Sequence, residues 1–203
     1  MNKTLARIRT AFKVVVAEQS YQPNNEISTS LLLSPDELPG NGWTTSGQRE
    51  MSAHAFKKNN PIMDRAKTMK STTSRRLIEN PSQSRSIIDE VTPLASATDA
   101  ASWVSSADQR LKSNLSKVGI DVNDFREIQE VPLASVGVAR GFEYTLTLKK
   151  GPKASTLVVA NVDDVYMSVT CGSFDEPWTF DDVLNIARVQ VMKIRNMKGK
   201  SSD

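Results

Sequence analysis

The most regular stretch of the chain is a period-two alternation in its last third. Phe142, Tyr144, Leu146 and Leu148 alternate with Glu143, Thr145, Thr147 and Lys149, the pattern of a strand with one face buried. Thr156 to Val162 is apolar on both faces, which places it at the centre of a sheet. Val165, Met167, Val169 and Cys171 share one face of a third strand. Lys150-Gly151-Pro152-Lys153 and Asp163-Asp164 carry turn chemistry between these runs, so the three strands are expected as an antiparallel meander.

Helical periodicity brackets the meander. Ala101, Val104, Leu111, Leu115 and Val118 form one apolar stripe over a helix expected from about Ala97 to Val118, with Ser96 or Thr98 as cap and Gly119 as stop. A second long helix is expected from about Phe180 to Lys198. Thr179 caps it, Asp181 and Asp182 occupy its first turn, and Lys193, Arg195 and Lys198 lie near its end, matching the helix dipole. Val183, Ile186, Ala187, Val191, Ile194 and Met197 give it a broad apolar face.

The first half is less regular. Leu5, Ile8, Phe12 and Val15 recur at helical spacing between Thr4 and Ser20, and Pro23-Asn24-Asn25 reads as a linker. Leu31-Leu32-Leu33 is a short apolar run, taken as the first strand, ending at Pro35 and followed by turn chemistry through Gly42. Thr44 to Ser86 is polar. It is expected to hold loops, a short helix near Met63 to Met69 and a strand near Arg75 to Ile78, before a further strand from Ile87 to Pro93.

These elements give an α+β fold: an antiparallel sheet whose C-terminal meander is covered by two long helices, in an α/β/α sandwich-like arrangement. Residues 1–24 are expected as an amphipathic helix and linker, 25–198 as a single α+β domain, and 199–203 as a disordered tail.

Composition changes the picture mainly through charge placement. The net charge is only +3, but residues 1–17 hold Lys3, Arg7, Arg9 and Lys13 with no acid before Glu18. Lys57, Lys58, Arg65, Lys67, Lys70, Arg75 and Arg76 face Asp64 alone between 57 and 76. That second cluster is the candidate anion-binding segment, although no stacking aromatics interleave it and nucleic acid is not the expected partner. The single cysteine, Cys171, excludes an intramolecular disulfide and a cysteine metal cluster. It sits in phase with apolar neighbours and reads as a small core residue.

Catalytic chemistry finds little support. His54 is the only histidine, and it stands in a polar stretch without a nucleophile motif. Gly40-Asn41-Gly42 and Gly151-Pro152-Lys153 read as turns rather than phosphate cradles, and Asp163, Asp164, Asp175 and Glu176 lack the spacing of a calcium loop. Trp43, Trp103 and Trp178 each sit beside a turn or helix. They are the candidate lining of a ligand pocket, with core-edge packing as the plainer reading.

The run Leu31-Leu32-Leu33-Ser34-Pro35-Asp36-Glu37-Leu38-Pro39-Gly40-Asn41-Gly42-Trp43 resembles the opening of actinobacterial Mog1/PsbP-like lipoproteins and of sensor-like extracytoplasmic domains of serine/threonine kinases. The resemblance continues through Asp99-Ala100-Ala101-Ser102-Trp103, through Val165 to Cys171, and through Trp178 and Asp181-Asp182-Val183. It implies a sandwich that binds something rather than an enzyme. It transfers no functional residues, and Cys171 has no partner such as some sensor domains carry.

The function expected is therefore a non-enzymatic binding or interaction domain without cofactor or metal, whose partner is a protein or a small ligand. The alternative is a peripheral adaptor gripping an anionic membrane or nucleic acid through segments 1–17 and 57–76. Phe12 to Ala17 is short and broken by Lys13, so the cytoplasm is expected. An extracytoplasmic site is the alternative if the N-terminus acts as an atypical export signal.

Overall fold

A computed structural model describes residues 29–51 and 73–200. Its centre is a seven-stranded antiparallel sheet in the order β1-β2-β3-β7-β6-β5-β4. The strands are β1 (Thr44–Met51), β2 (Thr73–Asn80), β3 (Arg85–Pro93), β4 (Asp121–Ile128), β5 (Ala139–Leu148), β6 (Gly151–Val162) and β7 (Val165–Ser173). The meander expected from the alternation is β5-β6-β7, and β3 inserts beside β7 through nine successive Cα pairs from Arg85↔Ser173 to Pro93↔Val165. The expected N-terminal helix, the short helix near 63–69 and His54 fall outside the described residues.

Three α-helices complete the described fold: α1 (Ala97–Ser105) and α2 (Ala107–Lys117) between β3 and β4, and α3 (Phe180–Lys200) after β7. The single helix expected over 97–118 is thus two. Ser106 stands between them at φ −100°, ψ 12°. The Ser105 hydroxyl donates to the Ala101 carbonyl at 3.0 Å and the Ser106 hydroxyl to the Ser102 carbonyl at 3.1 Å. Serine hydroxyls that compete for backbone partners in this way bend helices. The expected caps form. Ser96 Oγ accepts from the Asp99 amide at 3.1 Å, and Thr179 Oγ1 accepts from the Asp182 amide at 3.2 Å.

The helices lie on opposite faces, which makes the molecule an α/β/α sandwich. The alternation of β6 and β7 decides this. Val158, Ala160, Val162, Val165, Met167, Val169 and Cys171 pack with Val183, Ile186, Ala187, Val191 and Ile194 of α3. Leu157, Val159 and Tyr166, with Phe142 and Tyr144 of β5, pack with Ala100, Trp103 and Val104 of α1 and Ala107 of α2. Each fully buried aliphatic side chain contributes about 1.5–3 kcal/mol, so two such layers fix the strand register.

Leu31–Leu33 form no strand. They run as irregular backbone, buried beside α3 as part of the α3-side core, because their backbone groups bond to side chains rather than to a sheet edge. The segment 44–51, expected as loop, is the edge strand β1.

Candidate functional site

The helices cover their two faces unequally. On one face α3 crosses β6 and β7, while the segment 31–43 fills the space over β2 and β3. On the other face α1 packs over β5, β6 and β7, and α2 packs on β4; among the described residues no helix lies over the β1–β3 side. Leu77, Ile88 and Thr170 are half-buried there.

One lateral row crosses the sheet on that face. Arg49 on β1, Arg75 on β2, Glu90 on β3, Ser168 on β7, Val159 on β6 and Arg140 on β5 are successive cross-strand partners. Arg49 and Arg75 are like charges directly opposite each other, an unfavourable pairing. Burial, with Arg75 adding to it, pushes the Arg49 guanidinium below its ordinary range. Glu90 relieves the strain: it accepts from Arg75 Nε at 2.7 Å and holds the Arg75 charge in place. Along the same face the Arg110 guanidinium lies 5.1 Å from the Tyr166 ring centre and 5.3 Å from that of Trp103. Burial raises the Tyr166 phenol.

Toward the other end of this face Lys153 turns inward from β6. Its Nζ lies 2.7 Å from Ser86 Oγ, and among the described residues no carboxylate comes within ion-pair distance of it. Burial pulls its ammonium below the ordinary lysine range, and Glu79 offsets this only at longer range. Lys150 and Lys153 place their Nζ atoms 5.5 and 5.4 Å from the Phe174 ring centre.

The opposite face holds a buried polar crossing. Asp89 is fully buried, accepts from the Leu33 amide at 2.6 Å through Oδ2, and leaves Oδ1 without a partner. Desolvation pushes its carboxyl up to about 7, against the pull of the Leu33 amide, Arg76 and Lys193. Arg76 donates to the Leu33 carbonyl at 2.6 Å, Gln190 to Leu31 at 2.6 Å, and Lys193 to Leu32 and Glu37 at 2.7 Å each. These groups pin residues 31–37, and each main-chain bond they supply replaces one that a sheet partner would have made.

The sequence candidates distribute as follows. Trp43 and Trp178 stack at 5.8 Å with an interplanar angle of 24°. Trp43 donates to the Pro39 carbonyl at 2.8 Å, and Arg85 lies 4.5 Å over the Trp178 ring. Trp103 is on the other side of the sheet, edge-on to Tyr166 at 5.7 Å, so the three indoles line no common space. Arg75 and Arg76 point to opposite faces, as adjacent strand residues must, and both are engaged by the pairs above. Lys57, Lys58, Arg65, Lys67 and Lys70 lie outside the described residues. Cys171 is buried, and desolvation raises its thiol far above the reactive range.

A separate open cavity of about 280 Å³ sits at the β4 edge, lined by Arg126, Glu127, Ile128, Gln129, Glu143 and Phe180. Its charges are matched, with Arg126 Nε donating to Glu143 at 2.6 Å. Among the described residues no group of three or more His, Cys, Asp or Glu side chains could hold a metal ion, and no helix is long and apolar enough to cross a membrane.

Sequence reading passed over Asp89, Lys153, Ser86, Arg49 and Arg110. Asp89 carried a signal, an acid inside the apolar run Ile87 to Val91. The others became visible only once strand pairing set their neighbours.

No family model matches this chain, and no curated protein does. Among solved structures it is similar to the extracellular domain of PknH from Mycobacterium tuberculosis, at 12% identity and a TM-score of 0.57, covering 87% of this chain and 100% of that one. A Rv0999 ortholog from Mycobacterium smegmatis aligns at 8% identity and a TM-score of 0.44, over 77% and 90% of the two chains. The chain shares its fold with the extracellular domain of PknH.

Proposed function

We propose that this chain is a non-enzymatic binding domain that works outside the cytoplasm, and that its ligand face is the β1–β3 half of the sheet beside α1. The carrying observation is the arrangement on that face. Half-buried apolar side chains lie between a row of guanidinium groups and Lys153, whose ammonium bonds Ser86 and is offset at longer range by Glu79. Such a surface offers donors and apolar area to a ligand. Ser86 is held by Lys153 and faces Glu79 across the β2–β3 pair, and among the described residues no histidine joins them. The fold likeness to an extracellular domain favours the extracytoplasmic alternative over the cytoplasm. Residues 1–24 are proposed as an arm appended to the single domain that begins at about residue 25.

The adaptor reading is weaker on the described residues, because Arg75 and Arg76 are committed to opposite faces and cannot grip one polyanion together. Two measurements test the proposal. A fusion of the chain to a reporter active only outside the cytoplasm should give signal. A thermal-shift panel of small charged and amphipathic compounds should find stabilising ligands. A silent reporter together with stabilisation only by polyanions or anionic vesicles would replace this reading with the adaptor.

A further inference from the structure

We infer that residues 31–37 form a proton-operated strap: Asp89 holds it against the sheet while its carboxyl is neutral, and the strap opens more readily once that carboxyl ionises. The device lies across the sheet from the proposed ligand face and stands without it.

The strap is buried without being a strand. Leu31, Leu32 and Leu33 lie in the core, yet side chains from three elements bond their main chain. Arg76 of β2 donates to the Leu33 carbonyl, Gln190 and Lys193 of α3 donate to Leu31 and Leu32, and Asp89 of β3 accepts from the Leu33 amide. A segment held this way can open without breaking the sheet ladder. Trp43, stacked on Trp178, anchors the chain beyond it.

Two acceptors at this contact lack donors. Asp89 Oδ1 and Gln190 Oε1 are both buried and unpartnered. A carboxylate with one bare oxygen is costly out of water, and a proton on it removes the charge. Opening the strap relieves the same cost by admitting water. The surrounding charges do not cancel it. Arg76, opposite Asp89 on β2, is engaged by the Leu33 carbonyl and Gln48. Lys193 of α3 is engaged by the Leu32 carbonyl and Glu37 of the strap, and Asp36 of the strap is exposed. On β7, Val169 stands opposite Asp89, and the Cys171 thiol is buried on the same face. Desolvation, with a push from Glu90 next along β3, outweighs the Leu33 amide, Arg76 and Lys193, and the carboxyl rises to about 7.

The sign follows. Asp89 is raised in the closed strap and ordinary once wetted, so the closed form is fully favoured below about pH 4, weakens as pH rises to about 7, and changes little above that. Opening should become roughly a hundredfold more frequent between about pH 5 and pH 8.

Hydrogen exchange of single amides in the full chain, followed by NMR from about pD 5 to 8 and corrected for the intrinsic rate, tests the strap. Leu33 should exchange faster than Val158 and Val169, paired at the sheet centre, because the strap opens without the sheet. Its corrected rate should rise roughly a hundredfold over this range and level off above about pD 7. In Asp89→Asn, which keeps an acceptor for Leu33, the rise should vanish. A Leu33 amide no faster than Val158 and Val169 means that the strap has no opening of its own. A flat corrected rate means no proton control, and a rise retained in Asp89→Asn means that another group titrates. Each of these results overturns the inference. Should Asp89→Asn not fold, the parent profile decides in its place, and a rise that begins only above about pD 7 overturns the assignment to Asp89.

Discussion

The Leu33 amide donates to Asp89 Oδ2 at 2.6 Å, joining residues 56 positions apart. This bond ties the segment ahead of β1 to the middle of β3, beneath α3. A carboxylate holding a main-chain amide is ordinarily stabilised in its charged form. Here desolvation wins, and the carboxyl rises from 3.8 to about 7, because Asp89 is fully buried and its second oxygen has no partner.

That shift sets the sign of a pH effect. The folded pKa lies above the unfolded one, so between about pH 4 and pH 7 the folded chain holds a proton that the unfolded chain has lost. The resulting stability is full below about pH 4 and is lost as pH rises through 7. Asp89→Asn keeps an acceptor for Leu33 and cannot titrate. The variant should match the parent near pH 4 and exceed it at pH 8 by several kcal/mol, at about 1.4 kcal/mol per pKa unit. Parallel unfolding curves for the two proteins from pH 4 to 8 would refute the assignment.

Glu90 carries a second, opposite expectation. It is the carboxylate ion-paired with Arg75, in a row where Arg49 faces Arg75 directly. Glu90→Gln leaves two guanidinium groups without that charge and should cost about 3 kcal/mol, as removing one partner of a buried pair does. Glu90→Gln combined with Arg75→Met should recover most of the loss. Urea unfolding of the single and double variants measures this, and a double variant no better than the single one counts against the row as an electrostatic unit.

The stacked indoles give a coupling that can be read directly. Trp43 comes from the segment before β1 and Trp178 from the residues before α3, so their contact links the two ends of the α3-side core. A double-mutant cycle with Trp43→Leu and Trp178→Leu should return a coupling of about 0.5–1.5 kcal/mol. Strictly additive losses would mean that the rings merely fill separate gaps.

What the sequence disclosed follows burial. β5, β6 and β7 were legible because their faces are set by apolar contact, and Thr156 to Val162 declared its central place by being apolar on both sides. β1 and β4 were not. Each is a sheet edge, and Thr44 to Met51 and Asp121 to Ile128 are largely exposed polar residues, so no alternation survives to mark them. Edge strands of this kind are kept polar and bulged against unwanted pairing, and both show a register shift. The candidate site was hidden for a related reason. Lys153 and Ser86 are 67 positions apart, and only the β3-β7-β6 register brings them together. The pairing of Trp43 with Trp178, and the separation of Trp103 from both, likewise depended on which face each element covered.

The same contrast between centre and edge yields a final prediction. Val169 is on β7, has no exposed surface, and contacts the core beneath α3. Thr45 is on β1, at the edge, and is exposed. An aspartate at Val169 would be a charge in an apolar layer with no donor, and Asp89 opposite it on β3 would add like-charge repulsion. Val169→Asp should therefore cost about 3 kcal/mol or more. Thr45→Asp puts the same group into water at a position without core contacts and should change stability by no more than about 0.5 kcal/mol. Thermal unfolding of both variants at pH 8, where Asp89 is mostly charged, gives the comparison its greatest spread. If Val169→Asp melts with Thr45→Asp, the meander does not form the stable centre of this domain.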